Sequence, residues 1–258
     1  MGVPGPLEYA AMTIIAMNNL TKERKRSSGF GLEIRSLSVA AGEHIAIVGP
    51  SGCGKSTTLD LLGMILEPDS CEHFSAHFAE ETFDIANLWK RGQGDVMAQL
   101  RKRHMGYVLQ TGELLPYLTV WENVELTALE GRRKGAGTDV AWLLRTLAID
   151  HIADAMPDAI SIGERQRAAI ARALASSPAL LLADEPTAAL DPNLSRVVMN
   201  LFLQVAQQVG TAVVMVSHDV ALVDAFHFKK RTIHVRREGD RSIAVLDDTE
   251  QRDNAGQV

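Results

Sequence analysis

One nine-residue stretch constrains this chain more than any other: Gly49-Pro50-Ser51-Gly52-Cys53-Gly54-Lys55-Ser56-Thr57. It has the spacing of a phosphate loop, a glycine, four free positions and then Gly-Lys-Ser, with a further hydroxyl at Thr57. The apolar run His44-Ile45-Ala46-Ile47-Val48 before it reads as a strand, and residues 58–66 after it read as a helix. Strand, glycine loop and helix are the context in which successive backbone N–H groups turn inward around an anion, reinforced by the helix dipole. The loop therefore predicts a nucleoside-triphosphate site, with Lys55 reaching the β- and γ-phosphates and Ser56 supplying an oxygen to Mg²⁺.

The rest of the chain supplies the partners such a loop needs. Residues 179–183 form a continuous apolar strand of the fully buried kind, ending in Asp184-Glu185. Two adjacent acids at the end of a buried strand are costly unless a cation neutralises them. Beside Lys55 they read as a Mg²⁺ ligand, Asp184, and a base for the attacking water, Glu185. A second buried strand over residues 211–216 ends in Ser217-His218-Asp219, whose imidazole is suited to hydrogen-bonding a γ-phosphate. The strand over residues 105–110 ends on the amide of Gln110.

Strands alternate with helices, which implies an α/β fold with a mostly parallel sheet covered on both faces. Residues 13–20 and 32–39 read as strands of an N-terminal antiparallel β subdomain, with a polar turn between them over residues 21–29. Residues 95–178 are nearly all helical and read as an inserted helical subdomain within a single domain, with Asp139 capping one of its helices. The helix over residues 193–209 is expected to bury Leu194, Val197, Val198, Leu201 and Val205. Residues 1–11, with glycine and two prolines, read as a frayed end or a cloning remnant, and residues 247–258 as a polar tail. Residues 68–94 carry His73, His77, Glu72, Glu80 and Glu81, a solvated surface rather than a metal site, since no cysteine pair or His-Glu-x-x-His accompanies them.

Composition narrows the function. The net charge is −6 and there is no long basic block, which argues against nucleic acid as a partner. No run of 18 apolar residues is present, so a membrane role has to come through another protein. The two cysteines, Cys53 and Cys71, suit a reducing compartment rather than a disulfide scaffold.

The order of these parts resembles the ATPase subunits of ABC (ATP-binding cassette) transporters. The resemblance rests on the phosphate loop, Gln110, the signature-like Ile160-Ser161-Ile162-Gly163-Glu164-Arg165-Gln166-Arg167, the strand ending Asp184-Glu185-Pro186-Thr187, the run Ala188-Ala189-Leu190-Asp191, and Ser217-His218-Asp219. Residues 114–124 resemble the subgroup serving lipoprotein release and macrolide-type export. The resemblance implies ATP and Mg²⁺ as ligands, with Ser56, Asp184 and Gln110 holding the metal. It implies Glu185 as catalytic base, His218 as γ-phosphate sensor and Asp191 in a dimer-crossing loop. Ser161, Gly163 and Glu164 belong to a signature facing nucleotide on the opposite subunit. It implies a homodimer or a paired ATPase subunit, joined head to tail by ATP. That pair would be docked near residues 110–124 on a separate integral-membrane permease, at the cytoplasmic face of the membrane. A non-transport member of the group, acting in cell-division signalling, DNA repair or translation, is the alternative; tandem cassettes, long coiled coils and zinc motifs are not visible. A small-molecule kinase is disfavoured by Asp184-Glu185-Pro186-Thr187 together with His218.

Two departures stand out. Ile162 occupies a position that is glycine in the family pattern. Either it strains a backbone that needs positive φ and weakens the ATP-bridged dimer, or it faces away from phosphate and is tolerated. The turn at residues 21–28 has no aromatic to stack on adenine; Phe30 is the nearest, with Arg24 and Arg26 as guanidinium alternatives. Weak base selectivity is expected.

Overall fold

A computed structural model describes residues 12–23, 29–133, 137–239 and 241–248. The chain opens with an antiparallel pair, β1 (Thr13–Glu23) and β2 (Phe30–Ala40), then enters the core through β3 (His44–Val48) and α1 (Lys55–Leu62). It returns to the first pair with β4 (Ser70–Phe78) and β5 (Glu81–Asp84). Helices α2 (Ile85–Lys90) and α3 (Gly94–His104) lead to β6 (Met105–Val108). A helical section follows, α4 (Val120–Arg133), α5 (Val140–Thr146) and α6 (Ile162–Leu174). The chain closes with β7 (Leu180–Asp184), α7 (Pro192–Gln208), β8 (Ala212–Ser217), α8 (Val220–Ala225), β9 (Lys229–Glu238) and β10 (Arg241–Asp247).

All the strands join one sheet in the order β5-β4-β1-β2-β10-β9-β3-β8-β7-β6. From β9 to β6 every neighbouring pair is parallel. The other half is antiparallel, apart from the β10–β2 pair. The expected α/β architecture with a mainly parallel core and an antiparallel N-terminal part is thus present.

The buried strands sort their side chains by parity, as a pleated strand must. Leu180 and Leu182 of β7 enter the core beneath α1, together with Ile45, Ile47, Val214 and Val216. Leu181 and Ala183 enter the opposite core with Ala46, Val48, Val213 and Met215, against α6 and α7. Both faces are covered, so these strands read as unbroken apolar runs. Parallel order also puts the C-terminal ends of β3, β6, β7 and β8 along one edge, where open α/β sheets collect their ligands. The phosphate loop, Gln110, Asp184-Glu185 and His218 all follow those ends.

Several expectations are corrected. Residues 68–94 are not merely a solvated surface: β4 buries Phe74, Ala76 and Phe78 with period two, and its polar side chains lie on the other face. His73 and His77 therefore stand on a strand rather than at helical spacing. They bond Ser75 (3.0 Å) and Thr82 (2.8 Å), and no metal-binding cluster occurs among the described residues. The buried face of α7 is Ser195, Val198, Met199, Phe202, Val205 and Ala206, with Val197 at 53% exposed. The larger Phe202 and Met199 set the face, and Ser195 joins it because its hydroxyl reaches the carbonyls of Thr187 and Leu190. Residues 21–23, expected in a polar turn, are strand instead, because β1 continues to Glu23; residues 24–28, with Arg24 and Arg26, lie outside the described residues. The expected polar end at 247 also starts later. Asp247 completes β10, and Asp248 is buried, accepting from the Ser38 backbone N–H (3.2 Å) and hydroxyl (3.1 Å).

Candidate functional site

The phosphate loop is shaped at Gly54, the N-cap of α1, which adopts φ 98°. A side chain there would be strained by that φ, although its Cβ would meet Leu32 only at ordinary contact distance. The first turn of α1 thereby opens its backbone N–H groups to the loop's concave side. Lys55 is 7% exposed, and its Nζ donates to the carbonyls of Gly49 (3.0 Å) and Pro50 (3.1 Å). The ammonium is thus parked on the loop it serves, satisfied without an anion. Cys53 is buried beneath the loop, and burial pushes its thiol up, partly offset by the Lys55 ammonium. A thiol held protonated is a poor nucleophile and a poor redox sensor.

Across the cleft, Asp184 ends β7. Burial raises its carboxyl, a hydrogen bond from Ser56 opposes that shift, and the neighbouring Glu185 charge adds to it. Glu185 sits at φ 45°, a left-handed conformation that side chains rarely adopt, and its N–H donates to Val216 O (3.1 Å). That bond ties the end of β7 to β8 and turns the carboxylate towards His218, whose Nδ1 lies 3.1 Å from Glu185 Oε2. Gln110 and Glu185 border the same cavity as Ser51, Lys55, Ser56 and Thr57, a cleft of about 720 Å³. That volume falls in the range of small-molecule sites. Its far end is formed by Lys22, Glu23, Phe30, Leu32 and Leu66. Phe30 is the aromatic candidate of the sequence; Lys22, Glu23 and Leu32 join it because β1 and β2 lie beside the loop, and Leu66 because it follows α1.

A further contact escaped the sequence reading. The Tyr107 hydroxyl donates to Asp60 of α1 (3.3 Å), and Asp60 feels the Asp184 charge. Burial first, then the Asp60 and Asp184 charges, drive the phenol well above its usual range. A third carboxyl therefore stands behind the pair at the strand end, neutralised in part by a phenolic proton.

The signature residues do not line this cavity within one chain. Ser161 is the N-cap of α6 and forms a reciprocal box with Glu164. Gly163 is buried, and a Cβ there would lie 2.7 Å from Leu194, so its smallness serves the packing of α6 on α7. Ile162 is in the first turn of α6, is not among the residues of positive φ, and is 61% exposed. Of the two readings of Ile162, backbone strain falls away. Asp191 caps α7, accepting from the N–H groups of Asn193 (3.0 Å) and Leu194 (3.1 Å). Between this cap and His218 lies a second, smaller cavity of about 100 Å³.

Known proteins place this geometry. A family model described as ABC transporter matches residues 32–188. The lipoprotein-releasing system ATP-binding protein LolD of Shewanella oneidensis is 40% identical over 188 residues, 72% of this chain and 78% of that protein. The ABC transporter ATP-binding protein MJ0796 of Methanocaldococcus jannaschii is 33% identical over 251 residues, 93% of this chain and 96% of that one. A dimeric structure of the MJ0796 cassette in a post-hydrolysis state, bound to ADP and Pi, has a TM-score of 0.65 and 31% identity, covering 85% of this chain and 93% of that one. Macrolide export ATP-binding/permease protein MacB of Rhodopirellula baltica is 36% identical over 216 residues, 82% of this chain and 28% of that protein. By motif order, sheet topology and these likenesses, the chain belongs to the ABC transporter family, as an ATP-binding subunit.

Proposed function

We propose that this chain hydrolyses ATP to ADP and phosphate and couples that reaction to a separate membrane permease. The observation that carries the reading is the convergence of Lys55, Ser56, Asp184, Glu185, Gln110 and His218 on one sheet edge. The donor set at Ser56, Asp184 and Gln110 consists of hard oxygen atoms and fits Mg²⁺. When bound, that ion neutralises charge on the β- and γ-phosphate oxygens. Lys55 leaves the Gly49 and Pro50 carbonyls and turns to the phosphates, while the loop N–H groups hold them in line. Glu185, oriented by His218, accepts the proton of the attacking water.

Ser161 and Gly163 lie outside the cleft of their own chain, which supports a head-to-tail pair in which each signature completes its partner's site. MJ0796, solved as a dimeric cassette, supports pairing of two such chains. ATP bridges the two chains, and loss of the γ-phosphate releases them. A groove of about 520 Å³ between α3, β6, α4 and α6, whose lining includes none of the expected residues 110–124, is suited to a permease helix. Leu126 and Leu129 on its rim are 52% and 45% exposed. Tyr117, in the turn before α4, and Trp121, in its first turn, add further exposed aromatic surface. Among the described residues no helix is long and apolar enough to cross a membrane. We assign the chain to the cytoplasmic face of the membrane.

The test is Glu185→Gln. ATP affinity should stay within about twofold, phosphate release should fall by about 10²-fold or more, and Mg²⁺-ATP should accumulate a dimer in light scattering. Full turnover in that variant would remove Glu185 as the base.

A further inference from the structure

We propose that Glu164 is a positioning residue that holds Ser161 away from nucleotide, so that this chain's own carboxylate competes with the partner's γ-phosphate for the hydroxyl at the start of α6. The inference rests on the paired-site reading above.

The Ser161 hydroxyl donates to Glu164 Oε2 at 2.6 Å, and the same oxygen accepts from the Ser161 N–H at 2.9 Å. In return the Glu164 N–H donates to Ser161 Oγ at 3.3 Å. His151 Nε2 lies 3.1 Å from the other carboxylate oxygen. Arg167, one turn further on, is close enough to feel the same charge. The carboxylate is therefore anchored from two sides, and it is ionised at any working pH, since its hydrogen bonds hold it down to about 2.

Two consequences follow for an approaching phosphate. A phosphate oxygen needs a donor, and the only proton on Ser161 Oγ is already directed at Glu164. Ser161 has to rotate out of its box, giving up both of its hydrogen bonds, before it can donate elsewhere. In addition, the positive end of the α6 dipole is already matched by a negative charge of the chain itself. Ser161 and Ile162 are both exposed, so the face awaiting a partner carries this self-satisfied cap. The arrangement weakens the ATP-bridged pair without disturbing nucleotide binding in the cleft of the same chain, which Glu164 does not line. A glutamine at the third position of the helix still forms a capping box, but without the charge its hold on the Ser161 hydroxyl is weaker. Glu164→Gln therefore removes the charge while keeping the start of α6.

The experiment compares Glu185→Gln with the double variant Glu164→Gln/Glu185→Gln, following dimer formation by sedimentation in Mg²⁺-ATP. The double variant should dimerise about tenfold more tightly at low salt. That gap should narrow to about twofold near 0.5 M NaCl, because charge repulsion is screened where a purely structural effect is not. Affinity for ATP in the monomer should be unchanged. With Glu185 intact, Glu164→Gln should lower KM for ATP without lowering kcat. Glu164→Ala, which removes charge and cap together, should also tighten the dimer despite a lower melting temperature. Equal or weaker dimerisation of the folded double variant, or a gap indifferent to salt, overturns the proposal. Absence of any ATP-dependent dimer in both proteins overturns the paired-site reading along with it.

Discussion

Glu185 Oε2 and His218 Nδ1 meet at 3.1 Å across the ends of two neighbouring strands, β7 and β8. Glu185 reaches that position through a left-handed backbone, locked by its N–H bond to Val216. The side chain of Glu185 is 20% exposed, whereas that of His218 is 63% exposed. The imidazole is thus the wetter partner, and its contact holds the carboxylate in one orientation. Removing it leaves the carboxylate free to turn. We expect His218→Ala to lower phosphate release by about 10- to 100-fold, a typical share for orienting a general base. ATP affinity should stay within about twofold, since His218 does not line the main cleft. Phosphate-release kinetics alongside calorimetric ATP binding would check the split; equal loss in both would assign His218 to binding instead.

Lys55 offers a contrasting prediction. Its ammonium is nearly buried, and it is satisfied by two carbonyls of its own loop. Lys55→Ala removes the charge that meets the triphosphate and frees those carbonyls to water. Affinity for ATP should drop by about 100-fold, the scale of a charge-assisted contact in a partly dry site. Melting temperature without nucleotide should change little. Titration of ATP followed by calorimetry would decide it, and retained micromolar binding would contradict the assignment.

The elements that carry the site were legible because their local signals and their tertiary roles agree. The apolar runs of β7 and β8 mean burial on both faces and nothing else, and Gly54 sits where a helix cap requires φ beyond the reach of other residues. Asp139 and Ser161 mark helix starts through side-chain caps that a sequence displays directly. β4 was obscured by His73, His77 and Glu72, polar residues on its outer face that mask the Phe74-Ala76-Phe78 alternation. The α7 face was misjudged because Val197 fits the apolar period as well as Met199 does, and only packing against α6 and the sheet decides between them. The Glu185–His218 and Asp60–Tyr107 contacts depend on the order of β3, β8, β7 and β6 in the sheet, which no local pattern encodes.

Arg231 and Asp248 form an ion pair that looks like ordinary surface charge in the sequence. Both side chains are almost fully buried, at 6% and 7% exposed. Asp248 also accepts from Ser38, so the last described residue pins β9 to β2. Removing the acid alone takes from the buried Arg231 guanidinium the carboxylate that balances its charge, a change that costs about 3–5 kcal/mol in a buried pair. Asp248→Ala should therefore lower stability in urea denaturation by that amount. The double change Arg231→Met/Asp248→Leu should recover most of it, because the buried charge goes with its partner. A loss below about 1 kcal/mol in the single variant, the range of exposed pairs, would mean that water reaches the site.

Glu164 gives a prediction in pH. Its carboxyl is lowered from its usual 4.5 to about 2, first by the Ser161 hydroxyl, then by the Ser161 N–H, with smaller help from His151. A depressed acid stabilises the fold where it is ionised in both states, above the unfolded value. That contribution fades as pH falls from 4.5 towards 2, because the unfolded chain takes up the proton first. Glutamine has no such titration. The melting-temperature difference between the parent and Glu164→Gln should therefore be constant above about pH 5.5. Below that it should shift steadily in favour of Glu164→Gln down to the lowest pH at which both still fold. Thermal melts from neutral pH downwards would measure it. A difference that stays flat through the acid range would mean that the Ser161–Glu164 box does not persist in solution, and the competition with phosphate would lose its structural basis.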